Sequence, residues 1–120
     1  MNNQEYKKLL IERVIRFCKD SIRLVDSLPQ KRSCFIMSDQ FLRSATSIGA
    51  NIIEAQAGSS HKDFIKFINY ALKSANETVF WLGLLIEVRG TQEELIKSLM
   101  QEAEELSKIL GSTIIKLKNK

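Results

Sequence analysis

The sequence predicts an all-α fold, an antiparallel up-down-up-down four-helix bundle. Three observations carry this. No segment alternates apolar and polar residues with a strict period of two, as a half-buried strand would. Long stretches instead repeat apolar residues every three or four positions, which collects them on one face of a helix. The 120 residues include 1 Pro and 5 Gly, too few turn formers for many short strands. No linker, low-complexity tract or internal repeat divides the chain, so residues 1–120 are expected to form a single domain.

The first helix is predicted over about residues 3–28. Leu10, Val14, Phe17, Leu24, Val25 and Leu28 form its stripe, widened by Ile11, Ile15, Cys18 and Ile22. Pro29 lacks an amide hydrogen and disfavours helical geometry at the residue before it, so the helix should stop there, with residues 29–37 as the longest connection. The second helix, residues 39–57, takes Ser38 as N-cap and Phe41, Ala45, Ile48, Ile52 and Ala55 as core face. Gly58 should close it in the left-handed conformation. The third, residues 61–89, starts after Ser60, with Asp63 placed to favour the free amides, and ends at Gly90. The fourth, residues 92–118, opens on the capping-box sequence Thr91-Gln92-Glu93-Glu94. It aligns Leu95, Leu99, Ala103, Leu106, Leu110, Ile114 and Leu117, and Lys116, Lys118 and Lys120 suit its negative C-terminal end. Two tight connections make sequential helices antiparallel neighbours.

The third helix carries more apolar surface than one stripe requires. Phe64, Ile68, Ala71, Ala75, Val79 and Leu82 already form a core face, yet Phe80, Trp81, Leu84 and Val88 point away from it. Burying each such side chain is worth ~1.5–3 kcal/mol. A homo-oligomer is therefore expected, with Phe80 and Trp81 as anchors of the subunit contact.

The second helix has an unusual polar side: Gln40, Arg43, Ser47, Ala50, Asn51 and Glu54, with two charges only. Antiparallel pairing about Ser59 sets Arg43 level with Glu77 and Ser47 near Ser74. A hydrogen-bonded seam within the bundle, the same seam between subunits, and a plain solvated face all fit this composition.

Residues 40–55, QFLRSATSIGANIIEA, together with Phe64, Phe67, Ala71, Ser74 and Glu77, resemble the four-helix-bundle family named after proteins encoded in 23S rRNA intervening sequences. Gln40, Arg43, Ser47, Ile48, Asn51, Ile52 and Glu54 match the first part of the family motif. Ser44 stands where Ala is usual and Ala55 where Gly is usual, which moves the expected turn from Glu54 to Gly58. The resemblance implies a homopentamer assembled as a barrel-like ring, without an established enzymatic activity. Related accessory proteins of diversity-generating retroelements bind nucleic acid, so the resemblance also implies RNA or DNA as a partner.

The composition, 44% apolar and 27% charged, excludes a disordered or fibrous chain. The longest nearly apolar run, residues 78–85 with Ile86 after it, is far short of the ~18–20 residues that span a bilayer. The opening MNNQEYKK has no apolar stretch ahead of a cleavage site, so a cytoplasmic protein with free thiols at Cys18 and Cys34 is expected. Catalysis finds little footing. The one histidine, His61, begins a helix, and no Glu-x-x-His pair or glycine-rich phosphate loop is present. Cys18 reads as a packed thiol. Cys34 is expected in a loop beside Lys31 and Arg32, with no histidine near in sequence to act as its base. The expectation is a non-enzyme with no cofactor, no metal and no small-molecule substrate.

The net charge is +4, and residues 1–37 alone carry eight Lys/Arg against four Asp/Glu. Three basic patches are candidates for holding phosphates: Lys62, Lys66 and Lys73, with Asn69 and Asn76 between them; Arg16, Lys19 and Arg23; and Lys31 with Arg32. Each is weak alone, but a ring of subunits would multiply it. No aromatic residue is interleaved with them, so base reading is not expected. The expected function is nucleic-acid binding by a homo-oligomer. A protein-binding adaptor using the polar side of the second helix is the alternative.

Overall fold

The computed structural model describes residues 3–119. Met1 and Asn2 of the opening segment and Lys120 of the C-terminal lysines lie outside the described residues. Four helices follow one another: α1 (Asn3–Ser27), α2 (Arg32–Ala57), α3 (His61–Leu85) and α4 (Glu93–Lys118), with no strand among the described residues. Each helix packs against two others, in the cycle α1, α2, α3, α4 and back to α1, with no contact across the diagonal.

The periodicity read from the sequence is largely the periodicity of burial, although α4 fully buries Ile96 where Leu95 was expected, and Leu95 and Leu117 are half-buried. Leu10, Val14, Phe17 and Leu24 of α1 meet Phe41, Ala45, Ile48 and Ile52 of α2, Ile68, Ala71, Ala75 and Leu82 of α3, and Leu99, Ala103, Leu106 and Leu110 of α4 in one apolar cluster. Ile15 and Ile22 do not widen the α1 stripe as expected. Both are 46% exposed, because they turn past the flank on which Ile11 and Cys18 are only half-buried. Between α2 and α3 the contact is made by small residues. Ser44, Ala45, Ala71, Ala75 and Thr78 are all buried, and Thr78 donates to the Ser44 hydroxyl at 2.9 Å while Ser44 donates to the Phe41 carbonyl at 3.0 Å. These buried hydroxyls are thereby satisfied within the chain.

The helix ends differ from expectation in four places. α2 begins at Arg32, not after Ser38. Four residues, 28–31, suffice to reverse the chain, since the Lys31 amide donates back to the Pro29 carbonyl at 2.9 Å, and Cys34, Ser38, Phe41 and Ala45 then continue one buried face. Ser38 is not a cap but sits inside the helix, donating to the Phe35 carbonyl at 3.1 Å. Gly58 caps α2 at φ −62°, outside the left-handed region, because the chain runs extended straight into the next cap. That cap is Ser60, as expected, with its hydroxyl accepting from the Asp63 amide at 3.1 Å. α3 stops at Leu85, four residues early, in a tightened turn where the amides of Glu87 and Val88 donate to the carbonyls of Leu84 and Leu85, each at 3.1 Å. Residues 86–92 thus form the longest connection. The left-handed glycine is Gly90, at φ +94°, where an added Cβ would also lie 3.2 Å from Pro29. The capping box before α4 does not form: Thr91 donates to the Val88 carbonyl at 3.1 Å, and Gln92 is an N-cap without a side-chain bond.

The α1–α4 seam is fastened by one arginine. Arg13 grips Glu102 through Nε at 2.6 Å and Nη2 at 2.8 Å, and also pairs with Glu105. The hydrogen bonds to Glu102 hold the guanidinium pKa above its ordinary value.

Candidate nucleic-acid interface

The structure separates the three basic patches. Lys62, Lys66 and Lys73 stand exposed on the outer side of α3, the side opposite Ala71, Ala75 and Leu82. At 1.5 Å of rise per residue they span ~16 Å. Lys66 lies 3.9 Å from Asp63, whereas Lys62 and Lys73 make no ion pair among the described residues.

The α1 cations have acidic company. Arg23 is bonded to Asp20 at 2.7 Å, and Arg16 shares a groove with Asp20, Glu102 and Glu105. Lys19 is exposed without a pairing among the described residues. Carboxylates interleaved in this way cancel much of the attraction for phosphate. Lys31 and Arg32 sit at the α1–α2 connection, where Lys31 donates to the Arg89 carbonyl at 3.2 Å. Lys31 is thereby tied to the α3–α4 connection, apart from the α3 stripe.

The expectation that no aromatic residue interrupts the basic stripes fails on α3. Lys62, Lys66, Tyr70 and Lys73 recur at spacings of four, four and three, so Tyr70 stands in the lysine line. Tyr70 is 45% exposed and its ring meets Phe67 edge-on at 6.0 Å, with Lys66 4.8 Å above the Phe67 ring. The signal was present in the sequence as this spacing.

The polar side of α2 divides into two parts. Ser74 donates to Ser47 at 3.0 Å, and Asn51 donates to both the Ser47 hydroxyl, at 3.0 Å, and its carbonyl, at 2.9 Å. These half-buried groups make a hydrogen-bonded seam between α2 and α3 of one chain. Gln40 is half-buried, while Arg43, Glu54 and Glu77 are exposed. Among the described residues Arg43 and Glu77 form no ion pair; Glu77 instead accepts from the Trp81 indole at 3.4 Å.

The apolar patch on α3 is smaller than expected. Phe80 is 57% and Leu84 40% exposed, and Trp81 is half-buried with its ring edge-on to Phe80 at 5.0 Å. Val88 is half-buried in the connection beyond α3, because the helix ends before it. The early start of α2 places a second exposed pair on a helix instead of in the expected 29–37 connection, Phe35 at 59% and Ile36 at 56%.

Cys34 is not a loop thiol: α2 includes it, and it is 1% exposed. Cys18 is half-buried 3.8 Å from the Ala45 carbonyl, and burial pushes its thiol pKa up. Both cysteines are free. In Ellman titration at neutral pH, both should react slowly in the native protein and at once in denaturant. Raising the pH should speed Cys18 as its thiolate forms, and fast native labelling of Cys34 would show that the first turns of α2 open. His61 is exposed at the first position of α3, and among the described residues no three His, Cys, Asp or Glu side chains are placed to hold a metal. No described helix is long and apolar enough to cross a membrane.

The family model described as 23S rRNA-intervening sequence protein matches residues 7–112. Among solved structures, the chain is similar to a protein of unknown function from the S23 ribosomal protein family of Bacteroides thetaiotaomicron. The two share 41% sequence identity, with 88% of this chain and 97% of that chain covered, at a TM-score of 0.80. No curated protein matches it.

Proposed function

Because the chain belongs to the 23S rRNA-intervening sequence protein family, we propose that it is a non-enzymatic homopentamer of antiparallel four-helix bundles that binds RNA or other nucleic acid. The up-down course of the helices is supported by the pairing of Ser44 with Thr78 and Ser47 with Ser74, whose numbers run in opposite senses. Association is supported by Phe80 and Leu84, which leave apolar surface uncovered on the outside of α3. The observation that carries the binding role is the α3 stripe: Lys62 and Lys73 are exposed cations without an ion pair among the described residues, and Lys66 has only a long one. A ring repeats that stripe around its axis, and many weak phosphate contacts add.

The test is fluorescence anisotropy with a labelled structured RNA and a random-sequence RNA. Affinity should fall linearly in log–log form as salt rises, and Lys62→Glu, Lys66→Glu and Lys73→Glu together should weaken binding at least tenfold. No binding at low salt overturns the reading. The exposed neighbours Phe35 and Ile36 favour the second reading, a protein-binding adaptor, which predicts no RNA affinity and a partner lost on Phe35→Asp.

A further inference from the structure

We infer that the α3 stripe takes unpaired nucleotides, with Tyr70 as the platform on which a base stacks between phosphates held by Lys66 and Lys73. The inference rests on the nucleic-acid reading above and narrows it to single strands.

The placement is the first argument. Lys66, Tyr70 and Lys73 occupy one line on α3, and along the axis the tyrosine lies ~6 Å from the first lysine and ~4.5 Å from the second. Alternating cation and aromatic residues are what a strand with an anionic backbone and flat bases requires. The ring's state is the second argument. Tyr70 is 45% exposed and lies outside the buried line of Ile68, Ala71 and Ala75. It is nevertheless supported: Phe67 meets it edge-on at 83°, and Lys66 is drawn over Phe67. A supported and exposed ring costs little further ordering when a base lands on it.

The preference for single strands follows from which part of the base is available. In a duplex, base faces are covered by their neighbours and only edges and backbone meet a protein. A side chain on the convex outside of a helix reaches a base face only where the strand is unpaired. The carboxylates nearby compensate the stripe only in part, since Lys66 pairs with Asp63 at 3.9 Å and Lys73 makes no ion pair among the described residues. Asp63 sits toward the stripe's N-terminal end beside Lys66, and Glu77 lies four residues past Lys73, accepting from the Trp81 indole. Asn76 is held by Ser107 of α4 at 2.7 Å. Stacking on an aromatic ring accepts any base, so binding is sequence-tolerant.

The experiment compares a labelled random-sequence single-stranded RNA with an RNA duplex of equal length, against the full-length protein and its Tyr70→Ala and Tyr70→Phe variants, with folding checked by circular dichroism. The wild type should prefer the single strand. Tyr70→Ala should weaken single-strand binding about tenfold and leave the duplex little changed, while Tyr70→Phe keeps a stacking face and most of the affinity. Unchanged single-strand affinity in Tyr70→Ala, with binding still lost on reversing the three lysines, overturns the stacking role and leaves the nucleic-acid reading standing. Loss of binding to both probes in the wild type overturns both. A lower particle mass for Tyr70→Ala in light scattering also overturns the inference, since the ring would then be packing on a second copy of the chain.

Discussion

Phe41→Ala should lower the free energy of unfolding by about 3–5 kcal/mol. The Phe41 side chain is fully buried, on the face of α2 that turns into the common apolar cluster. Its removal forfeits the transfer of an aromatic ring from water and leaves a void that helices already pinned by hydrogen-bonded seams cannot close. Total stabilities of about 5–15 kcal/mol are usual, so the loss takes a large share. Urea unfolding at fixed protein concentration is the measurement, with the midpoint moved and the slope unchanged. A loss below about 1 kcal/mol would mean that this face of α2 is not tightly packed.

Phe80→Asp should reduce the proposed pentamer to 13.7 kDa chains that remain helical. Phe80 is 57% exposed, so a carboxylate there meets water in the single chain and disturbs nothing in its core. In a subunit contact the same carboxylate would be buried without a partner, at a cost of several kcal/mol at every interface of the ring. Light scattering across a dilution series separates the outcomes. Wild-type protein found as a 13.7 kDa species at micromolar concentration would overturn the assembly itself, and an unchanged particle mass in Phe80→Asp would place the interface elsewhere. Trp81→Asp is the poorer probe, because Trp81 packs partly on the core and its loss would also weaken the fold. Since the α3 stripe carries few charges per chain, dissociation should also weaken RNA binding, which links this result to the lysine reversal.

Much of the fold was legible because helix periodicity is a local property. Phe17, Phe41, Ile48, Ile68 and Leu106 repeat with their neighbours at three and four, and every one of them is fully or almost fully buried. Ser60 was legible as a cap because its partner amide, Asp63, is three residues away. Other boundaries misled for an equally physical reason. Ser38 and Thr91 have cap chemistry, but a hydroxyl inside or near a helix can donate to a carbonyl three residues back, and both do. The buried face that runs through Cys34 and Ser38 to Phe41 was the better guide to where α2 begins. The site was partly legible. The three lysines of α3 are readable from spacing, and so is their aromatic neighbour, since Tyr70 follows Lys66 by the same four residues that separate Lys62 and Lys66.

By itself the sequence determined that the chain is helical, where its four apolar stripes lie, and which family it resembles. These depend on spacing and residue type, which survive without knowledge of any neighbour. Only the tertiary structure decided which polar groups face each other. It joined Ser47 to Ser74, Ser44 to Thr78, and Arg13 to Glu102, a residue 89 positions away. It also brought Glu102 and Glu105 of α4 beside Arg16 and left Lys62 and Lys73 without an ion pair among the described residues. Pairs within one helix, such as Arg23 with Asp20 and Lys66 with Asp63, follow from a spacing of three, whereas compensation between helices depends on distances that nothing within one helix determines.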